Sequence, residues 1–476
     1  MKFLSSSITK LFGIVLVFLV LAFFPGCQKT SLDAGNTIIP ESESSAMIRA
    51  EINNYIVITK SETLPAGFEK KLSAYGEIVS STPEIGEVVV KPKVSDFEMK
   101  IAKLFEVQAV VPDIMAKWIE PIKFIEEVNP PSIGSNETFF RYQWGMDAIN
   151  APEAWNAGFT GEGARVFILD SGIDADNPDL APNLNITLST SFVPDENFYV
   201  RDGSFFNHGT HVAGIIAAAD NSWGVIGVAP NAEIVAVKVL NEISGSGAFS
   251  WINAGIIYAA NNGADVINMS LGATFNRNGS YLDENDVLQK MPAVYIQNLI
   301  LAQQRAVNYA FNKGVVIVTS AGNGGSDFDG DGSIFKLPAE LQNVIAVSAT
   351  APDCWVLSPD PLFDLLASYS DYGHSLVEIA APGGDYDCDA GYPYDMVLSN
   401  GAGRPNSYPF YFAAGTSMAS PHVAGVAALI IAKNAGKLSP QEITKQLFKT
   451  ADKIDGSGIS AYFGNGRVNA FRAVTE

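Results

Sequence analysis

Gly415-Thr416-Ser417-Met418-Ala419-Ser420-Pro421-His422-Val423-Ala424-Gly425 runs without a break into Val426-Ala427-Ala428-Leu429-Ile430-Ile431-Ala432. A glycine, a hydroxyl residue and then small helix formers predict a tight turn feeding a buried helix, with Ser417 at its start. The exposed N–H groups and positive dipole end of such a terminus favour negative charge beside the serine, as develops on a carbonyl oxygen under attack. A nucleophile fits that place, and so does a plain N-cap, a common duty of serine there. The choice depends on what the remainder of the chain brings alongside.

Five short apolar runs precede this stretch and alternate with helical patterns: residues 164–169, 233–239, 265–270, 314–319 and 343–348. Near-continuous apolar strands separated by helices predict a parallel sheet covered on both faces, an α/β fold whose ligands sit at the carboxyl ends of the strands. Asp170-Ser171-Gly172 follows the first run, and Ser320-Ala321-Gly322-Asn323-Gly324 follows the fourth. Between the first two runs stands Asn207-His208-Gly209-Thr210-His211-Val212-Ala213-Gly214, a histidine at the mouth of a small-residue helix. The chain has 4 histidines and two of them fall in this one segment, which weakens the reading of each residue as a cap or core group.

Taken together, Asp170-Ser171-Gly172, His208 to Gly214 and Gly415 to His422 resemble the three signature segments of the subtilisin-like serine proteases, in that family's order Asp, His, Ser. The resemblance spans residues 142–474 and implies a parallel sheet sandwiched by helices and a serine-type endopeptidase. On it, Ser417 is the nucleophile, His208 the base and then the acid, and Asp170 the residue that fixes the tautomer of His208. Asn323 corresponds to the oxyanion donor, and His211 and His422 to supporting residues. Gly245-Ser246-Gly247 and Ser270-Leu271-Gly272 resemble the segments that hold a substrate backbone as an added strand. Ser270 to Gly272 with Ser320, Ala321 and Gly322 would line the pocket before the cut bond. Their small size predicts a roomy pocket, with Lys336 near its floor favouring an acidic substrate residue. The resemblance also implies structural calcium at Asp179 and Asn221, ahead of Gly227-Val228-Ala229-Pro230. A second calcium candidate comes from Asp327-Phe328-Asp329-Gly330-Asp331-Gly332, whose alternate carboxylates at Asp327, Asp329 and Asp331 open many calcium loops but lack the glutamate that completes an EF-hand. A solvated acidic loop is the other reading.

Composition and the chain's first residues set the compartment. With 51 acidic against 30 basic residues and a formal charge of −21, the chain is no nucleic-acid binder. Hydrophobic residues at 47% over 476 positions allow a large core. Lys2 and Lys10 precede an uncharged apolar run over residues 11–24, too short for a comfortable span, which reads as a signal peptide over residues 1–26. Gly26-Cys27 resembles a bacterial lipoprotein processing site, so the exported protein is either lipid-anchored through Cys27 at the cell surface or outer membrane, or secreted.

Residues 27–47 form a polar tether, and residues 48–113 follow the order β-α-β-β-α-β of a ferredoxin-like α+β unit. Residues 114–139, with Pro121, Pro130 and Pro131, predict a linker that buries little and holds a processing site, ahead of a peptidase domain over residues 140–476. Under the resemblance, the small unit is an inhibitory pro-domain and the protein a zymogen; a permanent binding domain is the alternative. In an exported domain Cys354 and Cys388 pair most simply with each other, against two buried thiols. No catalytic cofactor, polypeptide substrates and a monomer complete the expectation. A protease-like fold reused as a surface binding module would need none of Asp170, His208, Asn323 and Ser417, and their joint presence favours the enzyme.

Overall fold

A computed structural model describes residues 51–119, 125–126, 137–200, 207–282, 287–330, 332–357, 362–386, 393–403, 407–456 and 458–476. The signal peptide, Cys27, the tether, Asp331 and Cys388 lie outside the described residues.

The apolar runs become strands because each is buried on both faces. Arg165–Asp170, Glu233–Lys238, Val266–Met269, Val316–Ser320 and Ile345–Ala351 pair in parallel. Across the sheet the order is Leu365–Leu366, Ile345–Ala351, Val316–Ser320, Val266–Met269, Arg165–Asp170, Glu233–Lys238 and Thr190–Ser191, with Ile379–Pro382 also beside Ile345–Ala351. From Arg165–Asp170 the chain steps first to one side and then to the other. The carboxyl ends of Arg165–Asp170 and Val266–Met269 therefore flank a topological switch point, where α/β sheets bind ligands.

Helices cover both faces. Thr416–Lys433 is apolar or small all round and is buried along nearly its whole length, beside His208–Ala217. Phe249–Asn261 and Ala293–Asn312 cover the opposite face. No helix among the described residues is long and apolar enough to cross a membrane.

The small unit forms an antiparallel sheet in the order Gly76–Thr82, Glu87–Pro92, Glu51–Thr59, Val107–Lys117, with helices Phe68–Leu72 and Phe97–Ile101. Alternation sorts its side chains. Val57, Val88, Val90 and Val110 pack on Phe68, Leu72, Phe97 and Ile101, while Ile56, Ile58, Val89 and Val111 join the core formed by Phe249–Asn261 and Ala293–Asn312. A run such as Tyr55-Ile56-Val57-Ile58, apolar at successive positions, is what a sheet buried on both faces requires.

The expected linker is corrected at its start. The last strand runs on to Lys117, and Ile114, Ala116, Trp118 and Ile119 are buried. Its edge is paired: Met115, Ala116 and Lys117 lie opposite Ala248, Gly247 and Ser246 in an antiparallel ladder. Satisfied backbone groups and apolar side chains keep this segment extended beyond its own sheet.

Candidate active site

Asp170 closes its strand and His208 opens its helix, and the two meet at the sheet's carboxyl edge. His208 Nδ1 lies 2.9 Å from both Asp170 oxygens, and each residue is 1% exposed. Asp170 Oδ1 also accepts the Ser171 N–H at 2.6 Å. The helix reaches this close because its second residue has no side chain: a Cβ on Gly209 would stand 2.3 Å from the Gly172 carbonyl oxygen and 3.1 Å from the Asp170 side chain. Donation from Nδ1 leaves Nε2 as the acceptor, and Nε2 is buried with no hydrogen-bond partner among the described residues.

Ser417 is the second residue of its helix. The N-cap is Gly415, in an extended conformation and with no side-chain cap, so Ser417 does not serve as one. Its Oγ donates to the Ser270 carbonyl at 3.1 Å. Pro421 explains the reciprocal contact. Lacking an N–H, it leaves the carbonyl of Ser417, four residues back, outside the helical ladder, and Ser270 Oγ donates to that oxygen at 2.8 Å. The single Ser270 proton being used there, Ser420 Oγ is the donor in its 2.8 Å contact with Ser270 Oγ. Sequence reading left Ser420 without a role; it braces the start of the expected substrate edge.

Asn323 sits on the neighbouring strand end. Its Oδ1 accepts from Thr416 N at 2.9 Å and Thr416 Oγ1 at 2.7 Å. Its Nδ2 faces Gly415, where a Cβ would approach to 3.4 Å. With the oxygen held, the amide N–H groups remain for the cleft, as an oxyanion donor requires. Thr416, which also accepts the Gly322 N–H at 3.1 Å, is a positioning residue that motif reading passed over.

The two expected substrate edges carry a strand of the chain itself. Besides the ladder on Ser246–Ala248, Trp118 N–H donates to the Gly245 carbonyl at 3.3 Å and the Gly272 N–H donates to the Trp118 carbonyl at 3.0 Å. The Trp118 indole is 2% exposed, donates to the Gly247 carbonyl at 2.7 Å and stands edge-on to Phe249 at 5.0 Å.

The pocket departs from expectation. Lys336 does lie between its walls, but its Nζ pairs with Asp371 at 3.1 Å and reaches Thr274 Oγ1 at 3.2 Å. The lysine is 6% exposed, so its stem occupies space the small wall residues would have left open.

His211 and His422 are fully packed. Burial pushes His211 down to about 3 and His422 down to about 4, so both are neutral at ordinary pH; His211 meets the Tyr411 carbonyl and His422 the Met418 carbonyl. Asp179 is buried and accepts from Val225 N, Asn400 Nδ2 and Asn221 Nδ2. Glu137, also buried, accepts the N–H groups of Asn221 and Ser222. Motif reading did not identify Glu137 in this cluster, because it is distant in sequence. In the second acidic segment, Asp327 accepts the Asp329 N–H while Asp329 caps His374 and Ser375. No group of three or more His, Cys, Asp or Glu poised to hold a metal occurs among the described residues.

A strand-end carboxylate on a helix-start imidazole, a helix-start serine on the helix packed beside that imidazole's helix, and an oriented amide are the parts of a serine hydrolase on a parallel α/β sheet. Residues 161–466 match the model of the subtilase family, peptidase S8, and the chain belongs to that family. It is a serine-type endopeptidase. It is 38% identical over 341 residues to thermitase from Thermoactinomyces vulgaris, covering 71% of this chain and 98% of that one. A thermophilic serine proteinase from Bacillus sp. (strain AK1) is 34% identical over 433 residues, 90% of this chain and 88% of that protein. Among solved structures, fervidolysin from Fervidobacterium pennivorans, a keratinolytic enzyme related to subtilisin, has a TM-score of 0.66 at 25% identity, covering 90% of this chain and 61% of that one. The epidermin leader peptide processing serine protease of Staphylococcus aureus shares the fold, with a TM-score of 0.68 at 24% identity over 89% of this chain and 98% of that one.

Proposed function

We propose that the chain is the zymogen of an exported endopeptidase that cuts polypeptides through Asp170, His208 and Ser417, with Asn323 as oxyanion donor. One observation carries the zymogen reading: residues 115–118 lie as an added strand along Gly247, Ser246, Gly245 and Gly272, where a substrate backbone would lie. In the reaction, rotation about the Ser417 Cα–Cβ bond brings Oγ from the Ser270 carbonyl to His208 Nε2. As Oγ attacks the carbonyl carbon, Nε2 takes its proton, and Asp170 stabilises the resulting imidazolium. The developing oxyanion takes hydrogen bonds from Asn323 Nδ2 and the Ser417 N–H, and Nε2 returns the proton to the leaving amine. Water activated by the same imidazole then releases the acyl group. The first cut frees the small unit downstream of Trp118. The full chain and its Ser417→Ala variant, compared by N-terminal sequencing and casein hydrolysis, test the reading; equal processing and equal hydrolysis would defeat it.

Release of the small unit depends on pH. Glu87 Oε2 accepts from Asn253 Nδ2 at 3.1 Å across the interface, while Glu87 Oε1 and Asn253 Oδ1 are buried acceptors without partners among the described residues. Asp113 accepts from Ser250 Oγ at 2.7 Å. Burial pushes Glu87 up to about 8 and Asp113 up to about 6, from ordinary values of 4.5 and 3.8. A carboxyl with a raised pKa binds more protons in the folded state, so its contribution is greatest in acid. That contribution is lost as pH rises through these windows, up to about 8 for Glu87. The thermal midpoint of the Ser417→Ala chain should therefore fall between weakly acidic and alkaline pH, and Glu87→Gln should remove its share of that fall, Asp179 and Glu378, both raised to about 7, supplying the rest. An unchanged slope would rule the effect out.

Structural calcium is proposed at Asp179, Asn221 and Glu137, and at Asp327, Asp329 and Asp331. In the first set burial raises Asp179 to about 7, with Glu137 adding to the rise. Asp179 and Glu137 already accept N–H groups, and Asn221 turns its amide nitrogen to Asp179, so calcium would have to replace those hydrogen bonds. Melts with and without a chelator check this: calcium should raise the midpoint by several degrees, and Asp179→Ala should remove most of the gain. A lipid on Cys27 and a Cys354–Cys388 disulfide are proposed for the exported form. Mass mapping without reduction would find an acylated Cys27 and a cross-linked peptide, or else free thiols and an unmodified terminus.

A further inference from the structure

The pocket floor beside Ser417 carries a charge pair for which bond cleavage itself has no use. Lys336 belongs to the strand Ile334–Leu337, whose register with Ala273–Asn276 sets it opposite Thr274. Its side chain crosses the pocket base between walls that have no side chains where it passes. A Cβ on Gly272 would stand 3.3 Å from Lys336 Cε, and one on Gly322 would stand 2.1 Å from Nζ and 2.2 Å from Asp371 Oδ2. Asp371 is 1% exposed and firmly held, its Oδ1 accepting the N–H groups of Gly324 and Ser326, both at 3.0 Å. It cannot swing aside for a substrate carboxylate. The neighbouring charges balance as well: Glu340 accepts the Lys336 backbone N–H and pairs with Arg277.

We propose that Asp371 is a specificity-determining residue: by compensating Lys336 it makes the pocket select an uncharged residue before the cut bond and turn away an acidic one. The inference rests on the endopeptidase reading and names its substrate class. A carboxylate entering the pocket loses its water and meets a lysine whose charge is already matched, so nothing offsets the desolvation. A side-chain amide is different. Of the three ammonium N–H groups, Asp371 and Thr274 take two, and the third suits a neutral carbonyl such as that of glutamine.

Peptides differing only in Gln, Glu or Lys before the scissile bond test this through kcat/KM. The wild type should favour Gln over Glu by about tenfold or more. Asp371→Asn keeps an oxygen for Gly324 and Ser326 and uncovers Lys336, raising the Glu-to-Gln ratio by about tenfold. Lys336→Met uncovers Asp371 and should raise the Lys-to-Gln ratio to a similar degree. If either single variant fails to fold with one buried charge unmatched, the Asp371→Asn/Lys336→Met double variant, which should retain the uncharged preference, and the wild-type ratio decide. Equal cleavage of Glu and Gln peptides by the wild type overturns the proposal, as does an unshifted ratio in a folded Asp371→Asn. Casein hydrolysis separates the two levels. A wild type inert toward casein would bring down the proteolytic reading itself, whereas casein cleavage with unshifted ratios removes only the role of Asp371.

Discussion

Ser417→Ala is expected to lower kcat by about a million-fold, the loss that removal of the nucleophile causes in subtilisin. On the proposed mechanism the variant removes the atom that forms the covalent bond, and no neighbour replaces it, because Ser420 spends its hydroxyl on Ser270. His208→Ala should cost nearly as much, and the double variant little more than either alone, since the pair acts as a unit. Steady-state hydrolysis of a chromogenic peptide by purified, processed protein measures this. The variants must be processed in trans, because neither is expected to release its own small unit. A loss of only tenfold would show that another group attacks. Self-release in the Ser417→Ala chain would show that the strand from Met115 to Trp118 is removed by some other agent.

The second large effect belongs to Asn323. Replacing it by leucine should lower kcat by about a hundred- to a thousand-fold with little change in KM, the loss observed in subtilisin for one oxyanion donor. The structure adds a complication and a control. Asn323 Oδ1 also accepts from Thr416 N and Oγ1, so leucine strands two buried donors and should cost about 1–3 kcal/mol of stability each. Asn323→Asp keeps that acceptor and removes only the donor, while placing a negative charge beside the oxyanion. It should therefore be at least as inactive as the leucine variant but closer to wild type in thermal midpoint. Equal kcat in wild type and Asn323→Asp would exclude Asn323 from transition-state stabilisation.

Much of this arrangement was readable from residues alone. The parallel sheet followed from five apolar runs, the places of Asp170 and Asn323 from what stood at the ends of two of those runs, and those of His208 and Ser417 from the mouths of two small-residue helices. Such features are local: burial on both faces and the conformational needs of a turn are written in consecutive residues. Residues 114–119 were misjudged for the complementary reason. Their extended, buried state depends on Ser246–Ala248 and on Phe249, more than a hundred positions away, and no local pattern reports a partner at that distance.

The same division runs through the pocket and the opening helix. Sequence by itself determined that a serine would stand at the mouth of a buried helix on an α/β sheet, with a carboxylate, an imidazole and an amide on neighbouring elements. Only the tertiary structure decided that Lys336 is matched by Asp371, that Glu137 joins Asp179 and Asn221, and that Pro421 frees the Ser417 carbonyl for Ser270. Charge pairing and hydrogen bonding depend on ångström-scale distances between segments remote in sequence, and the folded chain alone sets those distances.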